Sequence, residues 1–503
     1  MGYASPRVKR LLFAGLLVAS QVALAQAPDS RFSAGGYYRI SARPDFQGGN
    51  GRLGFWNLYG RLLNEGTYAA LEMKLDLLQA PPGTTDIWAS LHARIEGGTV
   101  STADPLNGFL SSFRLSQLYA RAGNILAPNL IWQLGTQQFF FGDLGLYDFR
   151  PAQLFEDTIG LSGRYLSEHL DLLVAVGDSG FSLRGAQYVP VLTAGAAARV
   201  HVNDHFEFGG GGQVGVEPFI AGNRFSSYAT PNVKYEDFAR REVLRRFLEE
   251  NPGMFDQFPQ PRQAGQLNVS WRGVGYVGFG GFGPLRWNNF FARYQRLHPQ
   301  NFYADTWNGQ TVTVYAADLT RDRYSLVLGD EMQLGLVPDR LDLVLAGLYG
   351  SDRDFADTIT ASELNRVYMS TVARLQLYVT RVVHVLLEGS VAHERSLNGN
   401  LFRGQFDSIF RSSQGLPDAR GLEFGDQNVR NTVQVKTGVV LNPTGPGIYT
   451  RPSIRLLYGF QYSTMHAAFG NAFAERLDQF NVFSPSQTLA WHHLISLESE
   501  GWF

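Results

Sequence analysis

Flat rings stand where strands of this chain should show their polar side. Tyr37, Tyr68, Trp287 and Trp502 each fall on the polar face of a legible alternating segment. A ring with a weakly polar face stacks on the apolar face of a pyranose, while arginines and carboxylates beside it exchange hydrogen bonds with the rim hydroxyls. Those residue types together point to recognition of a sugar without covalent chemistry. Rings that merely fill space beneath loops explain one or two such positions, but a series less well.

Other spacings suggest chemistry and lose it on inspection. Gly177-Asp178-Ser179-Gly180 spells a serine-protease nucleophile motif, yet it closes an apolar strand and has no matching histidine context. A catalytic triad is defined by geometry and roles, so the tetrapeptide alone means little. Gly273-Val274-Gly275-Tyr276-Val277-Gly278 matches a dinucleotide-binding loop, but Phe279-Gly280-Gly281-Phe282-Gly283-Pro284 follows where a helix should begin. A strand of small residues ending in a turn is the better reading. His201, Asp204 and His205 sit in a short polar turn with no third nitrogen ligand nearby in sequence, which favours a turn over a metal site. The chain has no cysteine, which removes disulfides, thiolate metal sites and cysteine nucleophiles. No enzyme activity, metal or cofactor is expected.

The elements that position the rings follow from composition and period. The 503 residues carry 43 Lys+Arg and 45 Asp+Glu, a net charge of -2 that offers no field for a nucleic acid. Charged residues make up 17%, below the roughly 25% of soluble proteins, whereas Gly (55 residues) and aromatics (13%) are abundant. That balance suits tight turns, strands and a lipid interface. Arg7, Lys9 and Arg10, then an apolar run from Leu11 to Val22, then Ala23-Leu24-Ala25 before Gln26, read as a cleaved secretory signal peptide over residues 1–25. Residues 26–503 are read as one domain without a further apolar run of transmembrane-helix length.

Alternation then decides the class. Phe32, Ala34, Gly36, Tyr38, Ile40 and Ala42 share one face, while Ser33, Gly35, Tyr37, Arg39, Ser41 and Arg43 share the other. Leu71, Met73, Leu75 and Leu77 oppose Tyr68, Glu72, Lys74 and Asp76 in the same way. Late in the chain Pro452, Ile454, Leu456, Tyr458, Phe460 and Tyr462 alternate with Arg451, Ser453, Arg455, Leu457, Gly459 and Gln461. Trp491, Ile495, Leu497 and Phe503 oppose Glu498, Glu500 and Trp502. Charges in mid-strand suit a watery lumen, and an apolar face with an aromatic fringe suits lipid. The expectation is an all-β transmembrane antiparallel barrel in a Gram-negative outer membrane.

At roughly 25 to 27 residues per strand and connection the chain makes about 18 strands. Val379-Thr380-Arg381 reads as a short periplasmic turn, and 219–266 as a long external loop holding an amphipathic helix over 235–250.

Several stretches, in chain order, resemble a known family. Gly36-Tyr37-Tyr38-Arg39, the run Arg61 to Leu71, Phe113-Arg114 on to Asp148, the hairpin from Arg374 to His393, Tyr449-Thr450-Arg451-Pro452-Ser453-Ile454-Arg455 and Gly501-Trp502-Phe503 look like maltoporin, the sugar-specific porin family of Gram-negative outer membranes. The resemblance implies an 18-stranded homotrimer that passes maltooligosaccharides by passive diffusion along a slide of aromatic rings. Tyr37, Tyr68, Trp287, Tyr449 and Trp502 match five slide positions, and Phe109 lies near a sixth, which in the family serves the neighbouring subunit. Arg39, Arg61, Arg114 and Asp148 match the polar track that reads hydroxyls. The constriction departs from the pattern: Arg150 replaces a tyrosine, Phe141 an arginine and Ala70 a glutamate. Exchanging a ring for a guanidinium alters bore and charge together, so Arg150 points to a sugar of different shape or an acidic one. A general diffusion porin without saturable sugar binding is the competing reading.

Overall fold

The computed structural model describes residues 30–44, 46, 53, 56–81, 84–98, 113–179, 191–218, 267–296, 303–307, 310–314, 323–354, 366–396, 429–464 and 491–503. The first nine strands are β1 (Phe32–Ala42), β2 (Tyr68–Leu78), β3 (Trp88–Gly98), β4 (Phe113–Gly123), β5 (Leu130–Phe140), β6 (Gln153–Leu166), β7 (Leu170–Asp178), β8 (Leu192–Asn203) and β9 (Phe206–Pro218). Next come β10 (Leu267–Phe282), β11 (Leu285–Arg296), β12 (Tyr303–Trp307), β13 (Gln310–Val314), β14 (Arg323–Val337), β15 (Leu341–Asp354) and β16 (Arg366–Tyr378). The last are β17 (Val383–Ser396), β18 (Val429–Leu441), β19 (Ser453–Ser463) and β20 (Trp491–Trp502). One helical turn, α1 (Trp56–Tyr59), lies between β1 and β2.

β12 and β13 pair only with each other, and the remaining 18 strands form one antiparallel sheet. Each strand pairs with the next, β11 passes to β14, and β1 takes β20 on its free side, with Tyr37 opposite Trp502. The sheet therefore closes, and closure satisfies every ladder without leaving an edge in lipid.

Alternation sets the two surfaces. Along β20, Trp491, Ile495 and Leu497 are exposed while His492, Leu494, Ser496, Glu498 and Glu500 are buried. Along β19, Ile454, Leu456 and Tyr458 point outward, and Ser453, Arg455, Leu457 and Gln461 inward. An outer surface of Leu, Val and aromatic residues over a polar interior makes the molecule a multi-pass β-barrel of the Gram-negative outer membrane. Short turns join the strands at one end: residues 379–382 link β16 to β17 as expected, and 283–284 link β10 to β11. The Gly273–Gly278 stretch lies wholly within β10. Residues 1–25 and the 235–250 helix lie outside the described residues.

Two connections turn into the lumen. Residues 53 and 56–67, with α1, press Leu53, Leu62 and Leu63 against Leu386, Val440, Leu457 and Leu494 of β17 to β20. Residues 141–152 bury Phe141, Leu144, Leu146 and Tyr147 against Val274, Phe291, Val327, Val344 and Val372 of the opposite wall. Glycines make that approach possible, since a Cβ at Gly209 would collide with the Phe141 ring. α1 is also tied polarly: the Lys436 ammonium donates to the Tyr59 carbonyl at 2.8 Å and pairs with Glu388 at 2.8 Å, which Arg374 also holds at 2.6 Å. Each segment thus fills its own side of the barrel and leaves the β1 to β8 side open.

Candidate functional site

The space left is a cavity of about 1410 Å³ bounded by the β1 to β8 wall and both in-folded segments. Three of the expected rings meet on that wall. Tyr37 and Trp502 have centroids 4.7 Å apart and Tyr37 and Tyr68 5.8 Å apart, all three tilted by about half a right angle to their neighbour. The register explains the meeting: Trp502 lies opposite Tyr37, and Tyr68 opposite Arg39 two residue pairs along. Trp502 is 66% exposed although it closes a strand, so its ring faces the cavity rather than the wall.

Ion pairs hold the rings in place. The Tyr37 hydroxyl donates to Glu500, which also receives Arg61, Arg451 at 2.7 Å and Arg455 at 2.5 Å. Arg39 pairs with Glu65 and lies 3.9 Å from Asp148. The Tyr68 hydroxyl donates to Glu96 at 2.8 Å and accepts from Arg94 at 2.8 Å, while Arg114 reaches Glu96 at 3.2 Å. Ala70 sits opposite Glu96 across the ladder. Burial pushes the Glu65 carboxyl up to about 8 against the pull of Arg39 and with the push of Asp148. Asp148, hydrogen-bonded to Glu65, is opposed by burial yet held below the usual carboxylate range by Arg61 and Arg39. The two acids share one proton.

The other expected residues fall in different places. Tyr449 lines the same cavity, its ring lying over Gly145 and its hydroxyl donating to Glu331 at 2.7 Å. Trp287 faces inward on β11, donates to Asn289 at 2.5 Å and lies outside the cavity lining, apart from the three joined rings. Phe141 is packed edge-on against Phe139 at 5.1 Å and over Tyr276 at 5.8 Å, a structural ring of the in-folded segment. Arg150 lies with its guanidinium 4.1 Å from the Phe140 ring. Phe109 lies outside the described residues.

Glu65, Glu96, Glu500, Arg94 and Arg451 also line the cavity, although the pattern of rings did not single them out. Their signal was parity: Glu500 shares the face of Trp502, and Glu96 that of Arg94. The Ser179 hydroxyl meets Thr193 at 2.6 Å, His201 meets Glu207 at 2.7 Å, and His205 meets the Gly280 carbonyl at 2.9 Å. Among the described residues no three metal-ligating groups converge.

No family model matches the chain, and no curated protein matches it. Among solved structures it is similar to the outer membrane protein OprD from Pseudomonas aeruginosa, at 10% identity and TM-score 0.41 over 96% of each chain. It is also similar to the outer membrane channel DcaP of Acinetobacter baumannii, at 12% identity and TM-score 0.42 over 73% of this chain and 92% of that one. A third is OmpT, an outer membrane protein of Vibrio cholerae, at 8% identity and TM-score 0.37 over 95% of this chain and 100% of that one. The closed barrel and its apolar exterior are those of an outer-membrane β-barrel.

Proposed function

We propose that the barrel is a sugar-specific porin, passing oligosaccharides down their gradient over a ring path in the lumen. The observation that carries this reading is the unbroken contact Trp502, Tyr37, Tyr68, bordered on both sides by paired charges. Rings in contact let a sugar exchange one stack for the next without passing through water. Each stack is worth ~1 kcal/mol, so binding recruits the solute and still releases it. Arg39, Arg61, Arg114 and Asp148 border the path as hydroxyl partners, and Tyr449 extends it. The resemblance to maltoporin makes maltooligosaccharides the first solutes to try and a homotrimer the expected assembly, with Phe109 offered to a neighbouring subunit.

Ion current through the purified barrel, titrated with maltooligosaccharides of increasing length, tests the proposal. Saturable block that strengthens with length is the expected result. Current that stays constant at every length would leave a general diffusion porin. Tyr37→Ala should weaken block about fivefold to tenfold, the loss of one stack, while conductance without sugar stays within twofold. Equal loss of both would mean that the lumen had collapsed.

A further inference from the structure

Across the cavity from the rings, three arginines stand without a carboxylate partner. Arg150, Arg199 and Arg293 all line the cavity, and none has an acid within ion-pair distance among the described residues. Asp143 is the acid that faces Arg150, within Coulombic reach only. Each guanidinium instead lies over a ring around the in-folded segment: Arg150 over Phe140 at 4.1 Å, Arg199 over Phe141 at 5.4 Å and over Tyr276 at 5.2 Å, and Arg293 over Phe149 at 5.8 Å. Arg199 further donates to the Phe141 carbonyl. The contrast with the ring wall is sharp, for there Arg61, Arg94, Arg114 and Arg451 are each bound to Glu96 or Glu500.

A ring fixes a guanidinium's face and leaves its charge uncancelled. The Nε groups of Arg199 and Arg293 are buried with no hydrogen-bond acceptor. These enclosed Nε groups are out of a solute's reach, so an anion in the cavity meets the outer N–H groups of the guanidinium forks, where a charged acceptor gains most.

We infer that the cavity selects sugars carrying an acidic group, a carboxylate or a phosphate ester, whose ring stacks on Tyr37, Tyr68 and Trp502 while its anion faces Arg150, Arg199 and Arg293. The inference rests on the sugar-porin reading and gives it a substrate class. Arg150 lies on the in-folded segment itself, Arg199 on β8 and Arg293 on β11.

Block of single-channel current by two pairs of probes separates the possibilities: trigalacturonate against maltotriose, both trisaccharides, and glucose 6-phosphate against glucose, both monosaccharides. At 0.1 M KCl trigalacturonate should block at a concentration at least tenfold below that of maltotriose, and the gap should narrow at 1 M KCl as the charges are screened. Preference for glucose 6-phosphate over glucose, without preference for trigalacturonate, assigns the phosphate ester; the reverse assigns the carboxylate. Arg150→Gln, which removes a charge bound only to a ring, should close most of the gap between trigalacturonate and maltotriose. Block by maltotriose as strong as by trigalacturonate, together with glucose 6-phosphate no better than glucose, would overturn the inference and leave the sugar-porin reading standing. Block by none of the probes would overturn both. Arg293→Gln, tested the same way, covers an Arg150 variant that does not fold.

Discussion

Glu65 is where acidity reaches the ring wall. Its carboxyl, buried between Arg39, Arg61 and Asp148, titrates at about 8, so it is neutral at neutral pH and gains a negative charge as pH rises through that value. Anion preference, read as reversal potential across a KCl gradient, should therefore fall between pH 7 and pH 9, and Glu65→Gln should flatten the change. A pH-independent potential in the parent barrel would refute the assignment. The sign for folding is related: a carboxyl raised from 4.5 favours the folded state fully below its ordinary value and loses that contribution as pH rises to about 8. Glu388 is the opposite case, a fully buried acid that neutralises both Arg374 and Lys436. Glu388→Ala strands two buried cations and should cost about 3 to 5 kcal/mol, read as a lower heat-denaturation midpoint of the barrel. Little of this was legible in sequence, because alternation marks which residues face inward but not which inward charges meet across β19, β20 and β1.

At the scale of elements the strands were the readable part. Outward Leu71, Leu75, Ile454, Leu456, Ile495 and Leu497 repeat with period two, and the periodicity alone assigns their face. The 379–382 turn and the end of β9 at Pro218 fell where turn residues and the broken pattern put them. The in-folded segments were not readable, since residues 53, 56–67 and 141–152 follow no period and their apolar residues match a wall distant in sequence. Their only local sign is the run Gly209-Gly210-Gly211-Gly212 on β9, which makes room for Phe141 and Leu154. Gly209→Val should displace the 141–152 segment at a cost of about 1 to 3 kcal/mol and raise open-channel conductance. An unchanged conductance in a folded variant would show that this segment does not narrow the lumen. Trp287 shows the limit of carrying positions over by resemblance: the ring is inward, but β11 places it away from the joined three.

At the scale of the molecule the two surfaces differ in what they tolerate. Leu456 is 56% exposed on the lipid face, and Leu456→Arg should cost about 2 to 4 kcal/mol if it lies near mid-membrane. The measurement is the urea midpoint of the barrel in lipid vesicles, and a shift no larger than that of Leu456→Ala would place this face in water. Closure carries a kinetic meaning of its own. The ladder between β1 and β20 joins residues more than 450 positions apart, so its loop-entropy cost is met only when almost everything between is already in register. Trp502 and Tyr37, which make that ladder's first pair, also form the tightest step of the ring path. The molecule therefore has no partial activity to offer during assembly: its solute path and its final seam are completed in the same event.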